Sequence, residues 1–525
     1  MLARCQSASL LGLEAFPVTV EVDLAPGLPG LQIVGLPDAA TQESRERVRA
    51  ALRNSGFRGP LVRVVVNLAP ADLRKEGPAF DLPIALALLA ASGQLDAPLL
   101  KGLWCAGELG LDGSLRPCRG ILALASLAAS QGAGAMVVPE ANAQEAELVP
   151  KLTVLSAESL QHLVEQLRED HCRKAKRKRP RRLQHAVSQQ ISTPDRGEAQ
   201  CFRAPPGPMT GQPLAQKALA MAAAGGHHLL LVGPPGCGKT LLAQQLPQVL
   251  PPLSPKEALE ISRVQSIAGV LPPDQGLVRT RPFRAPHHSC TAAALLGGGT
   301  LPRPGELSLA HGGVLFLDEL AEFPRRILDQ LRQPLEEGVL WLSRTRLKCA
   351  FPCRITLVAA TNPCPCGWHG DPDHPCRCSP LQRQRYWARL SGPLLDRIDL
   401  QLRLERLSSS AMRASVDGSF PASPISITAD QIQSARDRMT ARNPDGCLNA
   451  TLTASALGEH INLKSALLDR WERIVQQRKL SARSGLRVLR VARTLADLHN
   501  RDCIDSADLA EALCFRSFDL TSTKP

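Results

Sequence analysis

Residues Leu229–Thr240 read LLLVGPPGCGKT, and no other stretch of the chain restricts its fold so tightly. An apolar run of strand length enters a glycine-rich loop, and an apolar helical stretch, LLAQQL, follows. The order Gly233, Gly238, Lys239, Thr240 matches a phosphate-binding loop in full. Gly233, Gly236 and Gly238 let backbone N–H groups approach phosphate oxygens with no Cβ in the way. The helix that starts near Lys239 turns its positive end toward the same anion. The loop formed by Gly233, Pro234, Pro235, Gly236, Cys237 and Gly238 would cradle the phosphates of ATP. Lys239 would reach the β- and γ-phosphates, and the Thr240 hydroxyl would ligate Mg2+.

A second apolar strand, VLFLDE (Val314–Glu319), ends in two carboxylates some 75 residues later. In a parallel-sheet nucleotide fold this strand end lies beside the phosphate loop. Asp318 would then hold Mg2+, and Glu319 would polarise the attacking water. A third apolar strand, Ile355–Ala360, runs into Thr361-Asn362, where a polar side chain could orient that water. In LLDRIDL (Leu394–Leu400), Arg397 sits between apolar residues, with Asp396 or Asp399 as the nearby acidic partner. A guanidinium there could serve a neighbouring subunit's ATP.

The chain of 525 residues is too long for one core. Residues 1–165 mix β-rich runs (Val18–Val22, Val62–Asn67, Met136–Pro139) with alanine/leucine helices (Thr41–Asn54, Leu82–Ala91, Gly120–Ser130), an α+β or α/β unit. Residues 166–208 read as an exposed basic linker, since eight of the ten residues Arg173–Arg182 are Lys or Arg. Residues 209–405 alternate strand and helix signals around the phosphate loop, which predicts an α/β core. Residues 425–515 turn helical, with Leu486, Leu489, Ala492, Leu495 and Ala496 at helical spacing and Asp508 in capping-box position for a last helix.

The net charge of +13 favours a polyanionic partner. With aromatics at 3% and a single tyrosine, Tyr386, such a grip rests on Lys/Arg–phosphate contacts, salt-sensitive and independent of sequence. The longest apolar helix-like stretch, Leu82–Ala91, is too short to span a bilayer. No secretory leader is evident, so a cytoplasmic protein with mostly reduced cysteines is expected.

Phosphate loop, VLFLDE, AATN, LLDRIDL and a helical lid, in this order, resemble an AAA+ ATPase. More narrowly, AAAGGHHLLLVGPPGCGKT, FRAPHHSCT, GELSLAHGGVLFLDEL and AATNPCPCG resemble the magnesium-chelatase-like bacterial family that includes ComM and YifB. The resemblance spans nearly the whole chain. It implies that Asn362 is sensor 1 and that Arg397 is a finger acting in trans, in a homo-oligomer of six subunits. It implies a sensor 2 in the lid: Arg483, with Arg487 as runner-up. Arg281–Leu296 resembles the helix-2 insertion of this clade. Residues Gly338–Pro352 resemble the hairpin before sensor 1; Arg344, Arg346 and Lys348 at i, i+2 and i+4 would share one face of a strand. The N-terminal unit resembles a Lon-protease-like (ribosomal S5 domain 2-like) α+β domain. Ala79 stands where that pattern has its serine, and Gly107–Gly120 contains no lysine, so peptidase activity is rejected.

Cys364, Cys366, Cys376 and Cys378 form C-x-C…C-x-C, which could hold Zn2+. The spacing is tighter than the usual C-x2-C, with His369 and His374 as possible substitutes. Reduced thiols in a short loop, or redox pairing, are the alternatives. The family resemblance implies a helicase that promotes branch migration on single-stranded and branched DNA in natural transformation. A magnesium-chelatase-type metal-insertion subunit and a protein-remodelling ATPase are the competing readings. The N-terminal domain, which chelatase motors are expected to lack, argues against the chelatase.

Overall fold

Among the described residues the strands assemble into two large sheets and three two-stranded ones. The structure is a computed structural model that describes residues 2–59, 61–176, 212–272, 276–299, 302–344, 347–406, 427–460, 463 and 465–516. Most of the basic run and of the expected linker lies outside the described residues.

The N-terminal sheet has seven strands, ordered Gly30–Val34, Arg63–Ala69, Glu14–Ala25, Leu2–Leu11, Leu103–Cys105, Ala135–Pro139 and Thr153–Ala157. Leu2–Leu11 pairs antiparallel with Glu14–Ala25 but parallel with Leu103–Cys105, so the sheet is mixed. Alternation sets its burial: Val18, Val20 and Val22 are buried, as are Val64, Val66 and Leu68. Against this face packs Asp81–Ala91, in which every residue is buried. Its uniform apolarity fits a helix enclosed on all sides. The last helix of this region, Leu160–Lys176, continues through residues 166–176, where the sequence reading begins the linker. Its apolar positions Leu160, Leu163, Val164 and Leu167 are buried in the N-terminal core, which explains why the helix continues.

The second sheet has five strands, ordered Phe283–Arg284, Val314–Leu317, Thr356–Thr361, Leu229–Val232 and Leu400–Arg403. Every pairing is parallel, with Leu229 beside both Val358 and Leu400. The α/β expectation for this region is met. Such strands are buried on both faces, and all four residues of Leu229–Val232 are buried. The strand Thr356–Thr361 lies between the phosphate-loop strand and Val314–Leu317. In open parallel sheets ligands bind beyond the carboxyl ends of the strands; here those ends are Val232, Leu317 and Thr361.

Phe283–Arg284 is an edge strand of this sheet. The span Arg281–Leu296 is therefore not an insertion throughout, and its first residues belong to the core. Arg281 itself donates to the carbonyls of Pro251 (2.6 Å) and Gly312 (2.7 Å).

The helices Ala429–Arg442, Ala482–Leu498 and Ser506–Cys514 pack onto the parallel sheet and Pro213–Gly225 in one shared hydrophobic cluster. Asp505 caps Ser506–Cys514, with Asp508 closing a capping box, as the spacing predicts. A buried polar chain crosses the same boundary. His227 bonds Asp399 (2.9 Å) and Thr494 (2.8 Å), and Asn449 bonds Thr494 (3.1 Å) and Asp497 (2.8 Å). The N-terminal region touches the sheet region through the helix Pro255–Ala268: Arg263 donates to the carbonyl of Leu13 (2.7 Å) and the amide of Gly120 to that of Ser266 (3.2 Å).

Candidate functional site

Leu229–Val232 delivers the phosphate loop and Lys239–Val249 leaves it. Gly238 has φ +89°, which disfavours a side chain, and a Cβ on Gly233 would lie 2.8 Å from the carbonyl oxygen of Leu404. Lys239 Nζ donates to the carbonyls of Gly233 (2.7 Å) and Pro234 (3.0 Å) and to Asn362 Oδ1 (3.1 Å). Burial lowers the Lys239 pKa, against the pull of the nearby Asp318 and Glu319 carboxylates. Thr240 Oγ1 donates to Asp318 Oδ2 at 3.0 Å. Lys239, Thr240, Asp318 and Asn362 thus meet at the ends of three adjacent strands. The hydroxyl–carboxylate pair is of the right chemistry for a hard cation, and the lysine's own contacts are ones an anion could replace.

Glu319 lies next to this group. Its backbone is left-handed, φ +51° and ψ +47°, and its amide donates to Asp318 Oδ1 at 2.9 Å. A non-glycine residue in that region is uncommon and carries strain. Its carboxylate meets His288 Nδ1 at 3.0 Å. His288 stands in FRAPHHSCT, about thirty residues before Glu319, and a contact over that distance has no local signal in the sequence.

Arg397 is placed otherwise than expected. It is 8% exposed, and its guanidinium donates to the carbonyls of Arg332 (3.0 Å) and Pro393 (2.7 Å). Its acidic partner is Glu336, at 2.9 Å, rather than Asp396 or Asp399. Asp399 is taken by His227 and Arg487, and Asp396 accepts from Ser484 at 3.2 Å. Arg397 is therefore tied down within its own chain. Arg483 is largely exposed and stands 3.8 Å from the same Glu336. Arg487, the runner-up, is absorbed into the buried pair with Asp399, whose carboxyl is held far below its usual pKa despite burial.

The hairpin also differs. Val339–Arg344 and Leu347–Pro352 are antiparallel, with Ser343 opposite Lys348 and Arg344 opposite Leu347. Arg344 and Lys348 lie on different strands, so the i, i+2, i+4 alignment does not exist; Arg346 lies outside the described residues. Lys348 and Trp341 are exposed, Trp341 at 58%. The single tyrosine, Tyr386, is buried against Thr361, its hydroxyl 3.1 Å from Thr361 Oγ1.

The four cysteines converge. Cys364 Sγ is 3.3 Å from Cys366 and 3.7 Å from Cys376, and all four sulfurs lie within 4.8 Å of one another. Neither histidine joins them: His374 is engaged by Asp371 (3.3 Å), and its ring stacks on Trp368. In the N-terminal region the Ala79 carbonyl accepts from the Gly107 amide at 3.0 Å. The two segments that resemble the protease dyad are therefore adjacent, with no nucleophile at Ala79.

A parallel five-stranded sheet with these side chains at its carboxyl edge defines a P-loop protein of the AAA+ type. Three family models match the chain: "Subunit ChlI of Mg-chelatase" over residues 20–142, "Magnesium chelatase, subunit ChlI" over 208–412, and "Magnesium chelatase, subunit ChlI C-terminal" over 425–516. It is 42% identical over 523 residues to the uncharacterized protein YifB of Escherichia coli K12, covering 99% of this chain and 97% of YifB. It is 40% identical over 521 residues to competence protein ComM of Haemophilus influenzae, covering 98% of this chain and 97% of ComM. The chain belongs to the ComM/YifB family of magnesium-chelatase-like AAA+ proteins. Because a ChlI model matches residues 20–142, an N-terminal domain cannot by itself separate this chain from a chelatase subunit.

Proposed function

We propose that the chain is an ATP-hydrolysing, ring-forming DNA motor, most simply a hexamer, that drives branch migration during natural transformation. The observation that supports hydrolysis is the meeting of Lys239, Thr240, Asp318 and Asn362 beside a strained Glu319. Lys239 would hold the β- and γ-phosphates. Thr240 and Asp318 would hold Mg2+, which supplies charge neutralisation on the phosphates. Glu319 would take a proton from water positioned with the help of Asn362. Arg483 would read the nucleotide from the lid. Arg397 would act on a neighbour's ATP, which requires subunit contact to draw it off Glu336. We further propose residues 1–165 as a Lon-protease-like domain without peptidase activity, 166–208 as a basic linker, 209–405 as the ATPase core and 425–515 as the lid. The protein would act in the cytoplasm; among the described residues no helix is long and apolar enough to cross a membrane.

DNA as the cargo is supported by the likeness to a competence protein and by the net charge of +13. The hairpin sharpens it, since the exposed Trp341 offers a stacking face and the exposed Lys348, two register positions along on the neighbouring strand, a cation. Trp341→Ala is expected to weaken single-stranded DNA binding by about 1–3 kcal/mol, equally at low and high salt. Lys348→Ala is expected to lower the slope of log affinity against log salt by about 0.7. Fluorescence anisotropy over a salt series checks both, and two variants with unchanged affinity and slope would remove the hairpin from the DNA path.

The family descriptions favour a second reading, a motor subunit for inserting magnesium into a porphyrin. Stimulation of ATP turnover separates the readings. Forked DNA is expected to stimulate it, and a porphyrin or an unfolded protein is not.

A further inference from the structure

The cysteine cluster has no part in the nucleotide chemistry above, yet it is built as a site. A tetrahedral zinc with Zn–S bonds near 2.3 Å requires S···S edges of about 3.8 Å. Cys376 lies 3.7 Å from both Cys364 and Cys366, and Cys364–Cys366 is 3.3 Å. Two disulfides would instead bring the sulfurs together in pairs at about 2.05 Å. Gly367, φ +85°, turns the chain back so that its amide reaches the Cys364 carbonyl at 2.9 Å.

We infer that Cys364, Cys366, Cys376 and Cys378 hold one zinc ion in a closed, structural site that braces the phosphate loop. The bracing follows from position. Cys364 is two residues beyond Asn362, which bonds Lys239. A Cβ at Gly367 would lie 2.8 Å from Pro235 Cδ, so the turn rests against the loop itself. The base of the turn is pinned from outside: Trp387 Nε1 donates to the Pro363 carbonyl (3.1 Å) and Arg403 to that of His369 (2.9 Å). The zinc holds two ends of one loop together, and that loop carries Asn362 to Lys239. The bracing rests on the ATPase reading; the metal content does not.

Full-length protein purified without an affinity tag is expected to contain about one zinc per chain by elemental analysis. Less than about a tenth of an equivalent overturns the site. Cobalt in its place should give the absorption of a tetrahedral thiolate centre; an octahedral spectrum would also overturn it. Cys376→Ser/Cys378→Ser should lose the metal. Should that variant not fold, zinc is released from the wild type with an organomercurial, reversed with thiol, and added back. Released protein is expected to lose roughly 100-fold in ATP turnover and to regain it with zinc. Stoichiometric zinc with turnover indifferent to its removal would overturn the bracing alone. No turnover in any state, with zinc present, would strike the ATPase reading and leave the metal site standing.

Discussion

Glu319→Gln is expected to bind ATP within about twofold of the wild type and to lose roughly 10²–10⁴ in turnover. The amide keeps the volume and can still accept from His288, so the fold has little reason to change. Glu319 is a half-exposed side chain, and its pair with His288 is worth at most about 1 kcal/mol. The missing charge is what matters: an amide cannot take the proton of water. The backbone strain at φ +51° is stored at the one residue assigned the base role. Filter binding beside single-turnover hydrolysis checks the outcome. Turnover near that of the wild type would remove Glu319 from the chemistry.

Arg397→Ala is expected to produce two effects that can be separated. Truncation leaves the carbonyls of Arg332 and Pro393 and the carboxylate of Glu336 without this partner. The Glu336 carboxylate is exposed and is solvated without it, but each of the two part-buried carbonyls so orphaned costs about 1–3 kcal/mol, which thermal unfolding will register. A trans role adds a loss of turnover, roughly 10³–10⁵ for an arginine finger. Mixing decides between them. Lys239→Ala subunits bind no ATP productively but carry an intact Arg397. Combined with Arg397→Ala subunits they should restore part of the turnover, because a Lys239→Ala subunit supplies the finger to the intact phosphate loop of its Arg397→Ala neighbour. If mixing restores nothing while the unfolding temperature falls, Arg397 is a residue of its own subunit's packing.

Arg397 also shows where single-sequence reasoning stops. Its unusual setting between apolar residues was legible, and so was its need for an acid. The partner, Glu336, was not, since only the packing of two distant helical turns brings it near. The hairpin over Gly338–Pro352 is present, and only the alignment of its basic residues along one strand failed, for a local reason. No Gly, Pro, Asn or Asp lies between Ser343 and Lys348 to signal a reversal, so Arg344 and Lys348 read as one strand. The parallel strands were plain, because Leu229–Val232 and Val314–Leu317 are apolar throughout and Thr356–Thr361 is apolar between its terminal threonines. Their order was not, and that order explains why Asn362 meets Lys239. The cysteines were visible as a motif, but their spacing suggested strain; the turn at Gly367 relieves it.

The central claim is that ATP hydrolysis at Lys239 moves DNA. Its most direct test is strand movement on a labelled three-stranded junction, wild type beside Lys239→Ala, with and without ATP. Displacement of the third strand is expected only with wild-type protein and ATP. Wild-type protein that hydrolyses ATP yet moves no strand, with turnover unchanged by the junction, would contradict the claim.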